Sequence, residues 1–349
     1  MKTDFLKKLV LFILLFMAVV GGIVAFFDPF FHYHAPIGPL KAVASKWEYQ
    51  VIGSLKNFDY DALIAGSSVA QNYNSRWFDE SFDCRTVKAV KQAANTADLM
   101  YLLEEALQEQ ELTYIFYSLD LSALTSPRRE SFVTEGMPLY LYNENPFDDI
   151  RYLFNKDVLM EDIPYMLAHS FVVEYDEGEA YDWSEGKNFE EMHYDPTTEQ
   201  AAMKAEEEYR ENVAYNISLL ENLIAENKDI SFKMIIPPYS SLWWYEAYMK
   251  GETEENFYAL EQVIPKLLAY DNVELFYFQN IEEIVANLSL YMDTLHFHPD
   301  INRYMAECLV TKEHRLTEEN YREELDKMRE LYDTCLTVHA PEYFAGLEG

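Results

Sequence analysis

The sequence predicts an α/β protein in which a parallel sheet of about five strands carries helices on both faces, with an N-terminal transmembrane helix and an inserted cap. Three observations predict it. Beyond residue 58, short apolar runs that end in turn residues alternate with segments of helical periodicity. Between residues 121 and 198 this alternation lapses into an aromatic, acidic stretch and then resumes. Finally, an uncharged run of membrane-spanning length follows a basic start.

Lys2, Lys7 and Lys8 precede an uncharged run from Leu9 to Phe27, which as a helix covers roughly 28 Å at about 1.5 Å per residue, the thickness of a bilayer's hydrocarbon core. A cleaved signal peptide also begins basic. This run is longer than the apolar region of such peptides and no A-x-A-like site follows it, which favours an uncleaved anchor over residues 1–27. The lysines place the N-terminus in the cytoplasm and everything after Asp28 outside. Phe26, Phe27, Phe30, Phe31 and Tyr33 are then expected at the outer interface as an aromatic belt, with His32 and His34 beside them. Residues 28–57, which contain Pro36 and Pro39, read as a juxtamembrane linker.

The α/β domain is assigned to residues 58–312. "YDALIAGSS" is an apolar strand ending in Gly-Ser, "TVKAVKQAAN" holds a second strand, a helix runs from Thr96 to about Gln110, and "LTYIFYSLD" is a third strand closing on Asp120. The insertion at about 121–198, with "VVEYDEGEAYDWSEGKNFEEMHYD", reads as a partly helical cap. A long helix over roughly Glu199 to Asn227, the strand "SFKMIIPPY", a helix over about Glu254 to Ala269 and the strand "NVELFYF" follow. "DTLHFHPDIN" opens the next helix with Pro299 in its first turn. Residues 313–349 add an amphipathic helix ending near Leu336, and a tail.

With 49% hydrophobic and 15% aromatic residues the chain has ample apolar area for a core, which excludes a disordered chain. Its formal charge of −34 removes the phosphate neutralisation that nucleic-acid binding needs, so no nucleic-acid partner is expected. The same charge disfavours the outer part lying flat on anionic lipid. No D-x-[DN]-x-[DN]-G loop marks a calcium site in the acidic stretch. Cys84, Cys308 and Cys335 have no C-x-x-C spacing and allow one disulfide at most. No cofactor is expected, and no metal: Asp293, His296 and His298 lack a recognisable fourth ligand.

In an open parallel sheet, reactive groups collect beyond the carboxyl ends of the strands. Ser67 and Ser68 follow the first strand, where a tight turn exposes a hydroxyl and aims backbone N–H groups at an oxyanion. A serine needs a base, and His296 offers one three residues after Asp293, a carboxylate able to fix its tautomer. Each piece has a plainer reading: Gly-Ser-Ser as a helix N-cap, and Asp-x-x-His as a capping pair. Their joint placement at the first and last crossovers of one sheet favours a catalytic triad. Asn72, Ala94, Asn95 and Asp120 fall near the same rim as oxyanion or substrate-site candidates, Asp120 with helix capping as its alternative. Trp243 and Trp244 in "SLWWYEAY" read as core packing or as a surface for stacking sugar rings. His298 is the second candidate base.

Gly66-Ser67-Ser68 and Asp293-Thr294-Leu295-His296 resemble blocks I and V of the SGNH (GDSL-like) hydrolases, over roughly residues 58–312. With the leading apolar helix, "DPFFHYH", "YDALIAGSS" and "PPYS" at Pro237 to Ser240, the chain is most similar to the membrane-anchored cell-surface branch of Gram-positive bacteria. Its layout is that of the Dlt-type protein of lipoteichoic-acid D-alanylation and of alginate acetylation proteins, which work with a membrane-bound O-acyltransferase. The resemblance implies a flavodoxin-like three-layer sandwich, with Ser68 as nucleophile, His296 as general base and Asp293 as its orienter. It also implies an acylated glycopolymer or glycolipid substrate, through ester hydrolysis or O-acyl transfer; the alternatives are a noncatalytic scaffold that partners a membrane-bound O-acyltransferase, and a glycan-binding module that uses the tryptophans. Ser67 stands where the family usually has Asp, Ala93-Ala94-Asn95 replaces the block II glycine turn, and "SLDLS" replaces Gly-x-Asn-Asp, leaving the asparagine oxyanion donor unassigned.

Overall fold

A computed structural model describes residues 2–128, 137–184, 186–189, 192, 194 and 199–347. In chain order its elements are α1 (Lys2–Phe27), α2 (Trp47–Asn57), β1 (Ala62–Gly66), α3 (Ser68–Gln71), α4 (Ser75–Phe82), β2 (Thr86–Val90), α5 (Thr96–Glu109), β3 (Tyr114–Ser118) and α6 (Leu121–Thr125). There follow α7 (Ile150–Leu153), α8 (Ile163–Phe171), α9 (Glu206–Glu226), β4 (Ser231–Ile236), α10 (Ser241–Met249), α11 (Thr253–Leu268) and β5 (Val273–Tyr277). The last are α12 (Glu282–Val285), α13 (Pro299–Thr311), β6 (Arg315–Leu316), α14 (Tyr321–Thr334) and α15 (Ala340–Leu347). Two compact units emerge: Met1–Asp59 with Val133–Tyr181, and Tyr60–Phe132 with Asp182–Gly349.

The second unit holds a six-stranded sheet in the order β2-β1-β3-β4-β5-β6, parallel from β2 to β5. Every residue of β1 is buried, the mark of a strand covered on both faces. β1 lies between β2 and β3, so the chain leaves it to one side and returns to the other; the strand order reverses there. Asn95 and Asp98 close a capping box at the start of α5, Asn74 caps α4 and Ser240 caps α10, so the helices begin where polar side chains satisfy their free N–H groups.

The sixth strand is an addition to the expected sheet: two residues, Arg315 and Leu316, pair antiparallel with β5, too short to carry a periodic signal. The helix expected from Glu199 starts instead at Glu206. Upstream, the N–H groups of Ala201 and Lys204 are bonded to the carbonyls of Met249 and Gly251, and the Lys204 amine reaches Glu252 and Glu255; these tertiary bonds outcompete another helical turn. The last helix stops at Thr334, and a π-helical turn at Cys335–His339 leads into α15. All three cysteines are buried free thiols. Part of the expected cap, residues 129–136 and several between 185 and 198, lies outside the described residues.

In the first unit, α1 is long and apolar enough to cross a membrane, with its side chains from Phe5 to Phe16 exposed. The expected aromatic belt holds only in part. Phe26 and Tyr33 are exposed, but Phe30 and Phe31 are 1% and 2% exposed, buried within this unit. The cause is a turn folded around Asp28, whose carboxylate accepts the N–H groups of His32, Tyr33 and His34 and the Tyr152 hydroxyl, at 2.6–3.0 Å. His32 pairs with Asp149 at 3.1 Å, and His34 bonds the Ala25 carbonyl. The stretch read as a linker is likewise built: Gln50 of α2 donates to the Pro29 and Val43 carbonyls and accepts the Ser45 and Lys46 N–H groups. A Cβ on Gly53 would overlap the carbonyl oxygens of Phe30 and Phe31, so α2 approaches the turn as only glycine allows. Gly53→Ala is therefore expected to destabilise the detergent-solubilised protein by about 1–3 kcal/mol, read as a lowered midpoint of chemical unfolding.

Candidate active site

The carboxyl end of β1 is shaped by what surrounds Gly66. A Cβ there would come within 2.7 Å of the Ala70 Cβ and 2.8 Å of the Ser118 Cβ, so α3 and β3 close on the turn. Ser67 occupies the N-cap position of α3 without bonding back to the helix. It instead contacts Asp120 through its hydroxyl and backbone N–H. Ser68 is then the first residue of α3, its side chain half-buried and free to face outward from the strand end.

Ser68 meets His296 across 228 positions of sequence: Oγ lies 2.7 Å from Nε2. His296 Nδ1 lies 2.7 Å from Asp293 Oδ2. A carboxylate accepts only, so Nδ1 carries the proton and Nε2 is left to accept the serine's. The other oxygen of Asp293 accepts the backbone N–H of Leu295 at 2.9 Å and of His296 at 2.7 Å, so the same group folds the loop and orients the ring. Burial works against ionised Asp293, but the hydrogen bond and charge of His296 and these two N–H donors outweigh it and hold its pKa below the usual carboxylate value.

The loop is fastened to the end of β4. Ser240 donates its hydroxyl to the Thr294 carbonyl at 2.7 Å while capping α10. The adjacent Tyr239, fully buried, accepts the N–H of Leu121 at 3.0 Å and donates to Asp120 at 3.1 Å. Asp120 thus sits at the N-cap position of α6 without capping it. Burial pushes its pKa up to about 6, against the pull of Ser67, Tyr239 and the charge of His296. From the far side, Asn302 of α13 donates to the Val69 carbonyl at 2.8 Å and ties the helix after His296 to the helix that starts at Ser68.

The remaining expected residues divide. Ala94 donates its N–H to the Lys91 carbonyl in the turn after β2, and Asn95 donates its N–H to Asp98 while its side chain accepts from that residue in starting α5, so both N–H groups are engaged. Asn72 is buried; its Oδ1 accepts the Trp183 N–H at 3.2 Å, and its Nδ2 finds no partner among the described residues. His298 caps α13 through Nδ1 and stacks edge-on with Phe189. Trp244 is buried and bonded to Gln279, whereas half-buried Trp243 lines a cavity of about 380 Å³ with Ser122, Lys204, Glu246 and Lys250. Among the described residues, no group of three or more His, Cys, Asp and Glu side chains is placed to hold a metal ion.

Trp183 is the residue that sequence reasoning missed. Its indole N–H donates to the Ser68 carbonyl at 2.6 Å, and its ring stands edge-on to His296 with centroids 4.9 Å apart. It comes from the acidic, aromatic stretch, where no spacing or motif singles it out; a tryptophan in an acidic run, beside Asp182, was the one available signal.

No family model matches the chain, and no curated protein matches it in sequence. The site therefore has to be interpreted from its own geometry. One consequence concerns Asp120. With a folded pKa near 6 and an unfolded value near the usual 3.9, the folded state binds this proton more tightly, so the group's contribution to stability is largest below pH 4 and falls as pH rises through 6. Relative to wild type, Asp120→Asn is expected to gain up to roughly 3 kcal/mol between about pH 4 and pH 8, measured by chemical unfolding at both.

Proposed function

We propose that this protein is an extracytoplasmic, membrane-tethered serine esterase or O-acyltransferase acting on acyl esters of a cell-surface glycopolymer or glycolipid. The observation that carries the proposal is the continuous relay from Ser68 through His296 to Asp293, with both links at 2.7 Å. The order β2-β1-β3-β4-β5 is that of flavodoxin-like sheets, whose ligands bind at the β1/β3 reversal; this supports the SGNH-type sandwich that the sequence resembles. A single apolar helix at the N-terminus supports the tether, which favours a substrate made at the membrane.

In this mechanism Ser68 Oγ attacks the acyl carbonyl carbon as His296 Nε2 takes the hydroxyl proton, and Asp293 stabilises the imidazolium. Collapse of the tetrahedral intermediate breaks the ester bond, and the imidazolium returns its proton to the departing alcohol. The acyl-Ser68 then passes its acyl group to water or to a sugar hydroxyl by the reverse proton path. With the N–H groups of Ala94 and Asn95 engaged, the oxyanion donors are assigned to the first turn of α3 and to the buried amide of Asn72.

That engagement also favours a second reading, a noncatalytic scaffold of the same fold that recruits a membrane-bound O-acyltransferase. Labelling with a fluorophosphonate probe separates the two. Wild type is expected to label, and Ser68→Ala and His296→Ala to lose labelling and at least about 10³-fold of ester hydrolysis. Equal labelling of all three would remove Ser68 as nucleophile, and none in wild type would favour the scaffold. Asn72→Ala is expected to lower kcat on an acetyl ester by roughly 10²–10³ with KM little changed, as loss of one oxyanion donor does; an unchanged kcat would remove Asn72 from that role.

A further inference from the structure

We infer that the segment carrying α7 and the π-helical turn at Val158–Asp162 is seated in the outer leaflet beside α1, with Phe147, Ile150, Phe154 and Met160 against lipid acyl chains. This rests on the reading of α1 as a membrane-spanning helix whose following chain is outside, and it adds a second contact with the bilayer.

Among the described residues, fourteen large apolar side chains outside α1 are exposed, and eleven belong to the unit formed by Met1–Asp59 and Val133–Tyr181. Phe147 is 80% exposed, Met160 64% and Ile150 56%, values a water-facing surface rarely concentrates in so short a stretch. Ile150 opens α7, Phe154 directly follows it and Phe147 lies in the turn before it, so the exposed apolar stripe is the eight residues in and around one short helix.

The stripe runs onto α1. The Phe154 ring and the Leu153 Cβ lie 3.5 and 3.9 Å from where a Cβ on Gly21 would be, ordinary contact distances that pack them against α1 at this residue. Gly21 is six residues before the end of α1, about 9 Å along the helix axis, and a side chain packed there lies at the depth of acyl chains rather than in water. Lipid is the occupant because Phe154 meets α1 in a groove lined by Met17, Ala18, Gly22 and Ala25 with Tyr33, so the exposed stripe continues the exposed apolar surface of α1 itself. Around it, Arg151, Lys156, Asp157 and Glu161 are exposed, so the segment has the mixed character of an interfacial element, whose apolar side enters about 5–10 Å while charged ends stay at the headgroups. That depth agrees with the position of Gly21.

The test uses the full chain in phosphatidylcholine nanodiscs, with an environment-sensitive fluorophore on single cysteines introduced as Phe147→Cys, Ile150→Cys and Met160→Cys. Leu14→Cys in α1 and Val310→Cys, which is exposed in the other unit, serve as references. The three native cysteines are buried and spared by the label. Labels at 147, 150 and 160 are expected to lose fluorescence to lipids carrying a nitroxide near the top of the acyl chain and to keep it in iodide. The label at 310 is expected to do the reverse. If 147, 150 and 160 behave like 310 while 14 is quenched from the lipid, the inference is overturned and the tether stands. If neither quencher reaches them, protein rather than lipid covers the stripe, and the inference is again overturned. If 14 also answers only to iodide, the spanning reading of α1 fails and takes the inference with it.

Discussion

The carboxylate of Asp293 sets two things that are usually set separately: the path of the loop carrying His296 and the tautomer of its ring. One oxygen gathers the N–H groups of Leu295 and His296, and the other takes Nδ1. Hydrogen bonds to an ionised acceptor are shorter and stronger than neutral ones, and those at 2.7 Å fall in that class. If the loop opened, the ring would lose its partner; if the carboxylate were protonated, the loop would lose its centre. The geometry at Ser68 Oγ is therefore only as stable as this one anion, and its lowered pKa keeps it an anion throughout the neutral range.

What the sheet contributes is adjacency. Because β1, β3 and β4 are neighbours, Ser67 and Ser68, Asp120, and Tyr239 and Ser240 emerge from three adjacent strand ends although they are up to 173 positions apart in the chain. Tyr239 bridges the N-terminus of α6 and the Asp120 carboxylate, while Ser240 holds the Asp293 loop through the Thr294 carbonyl. Side chains placed at strand ends and locked by such second contacts hold a reactive geometry more closely than a loop would alone. Trp183 closes the arrangement from the remaining side, fixed by the Ser68 carbonyl and by Asn72.

The strands were legible because a parallel sheet buried on both faces writes itself as unbroken apolar runs, and "ALIAG" and "SFKMII" are such runs. Ser68, Asp293 and His296 were legible because each stands beside a turn or cap signal at the end of a run, and the fold brings the three together. What stayed hidden depends on contacts between distant residues. Phe30 and Phe31 follow an apolar helix and look interfacial, yet the turn bonded to Asp28 and the bare Gly53 of α2 bury them. The late start of α9 follows from Ala201 and Lys204 bonding to a loop nearly fifty residues away. Ala94 and Asn95 occupy the right turn in the sequence, but the Lys91 carbonyl takes the Ala94 N–H and the capping carboxylate of Asp98 takes that of Asn95. Local pattern finds the elements; it does not find which polar group reaches its partner first.

The same competition bears on the proposed chemistry. A site whose Ala94 and Asn95 N–H groups are engaged, and whose third strand leads into the buried carboxylate of Asp120, has fewer strong donors for an oxyanion than an esterase built for turnover. Such a shortage raises the barrier to acyl-enzyme formation and to attack by water alike, since both pass through the same tetrahedral oxyanion. An acceptor hydroxyl bound beside Ser68 escapes part of that penalty, because holding it in place replaces a bimolecular encounter with a near-unimolecular step, an advantage water from bulk does not share. The shortage of donors is thus common to both fates of an acyl-Ser68, and what separates transfer from hydrolysis is whether an acceptor hydroxyl is held beside it. On the proposed chemistry, the N–H groups engaged at Ala94 and Asn95 set how fast Ser68 is acylated, and the binding of an acceptor sets where the acyl group goes.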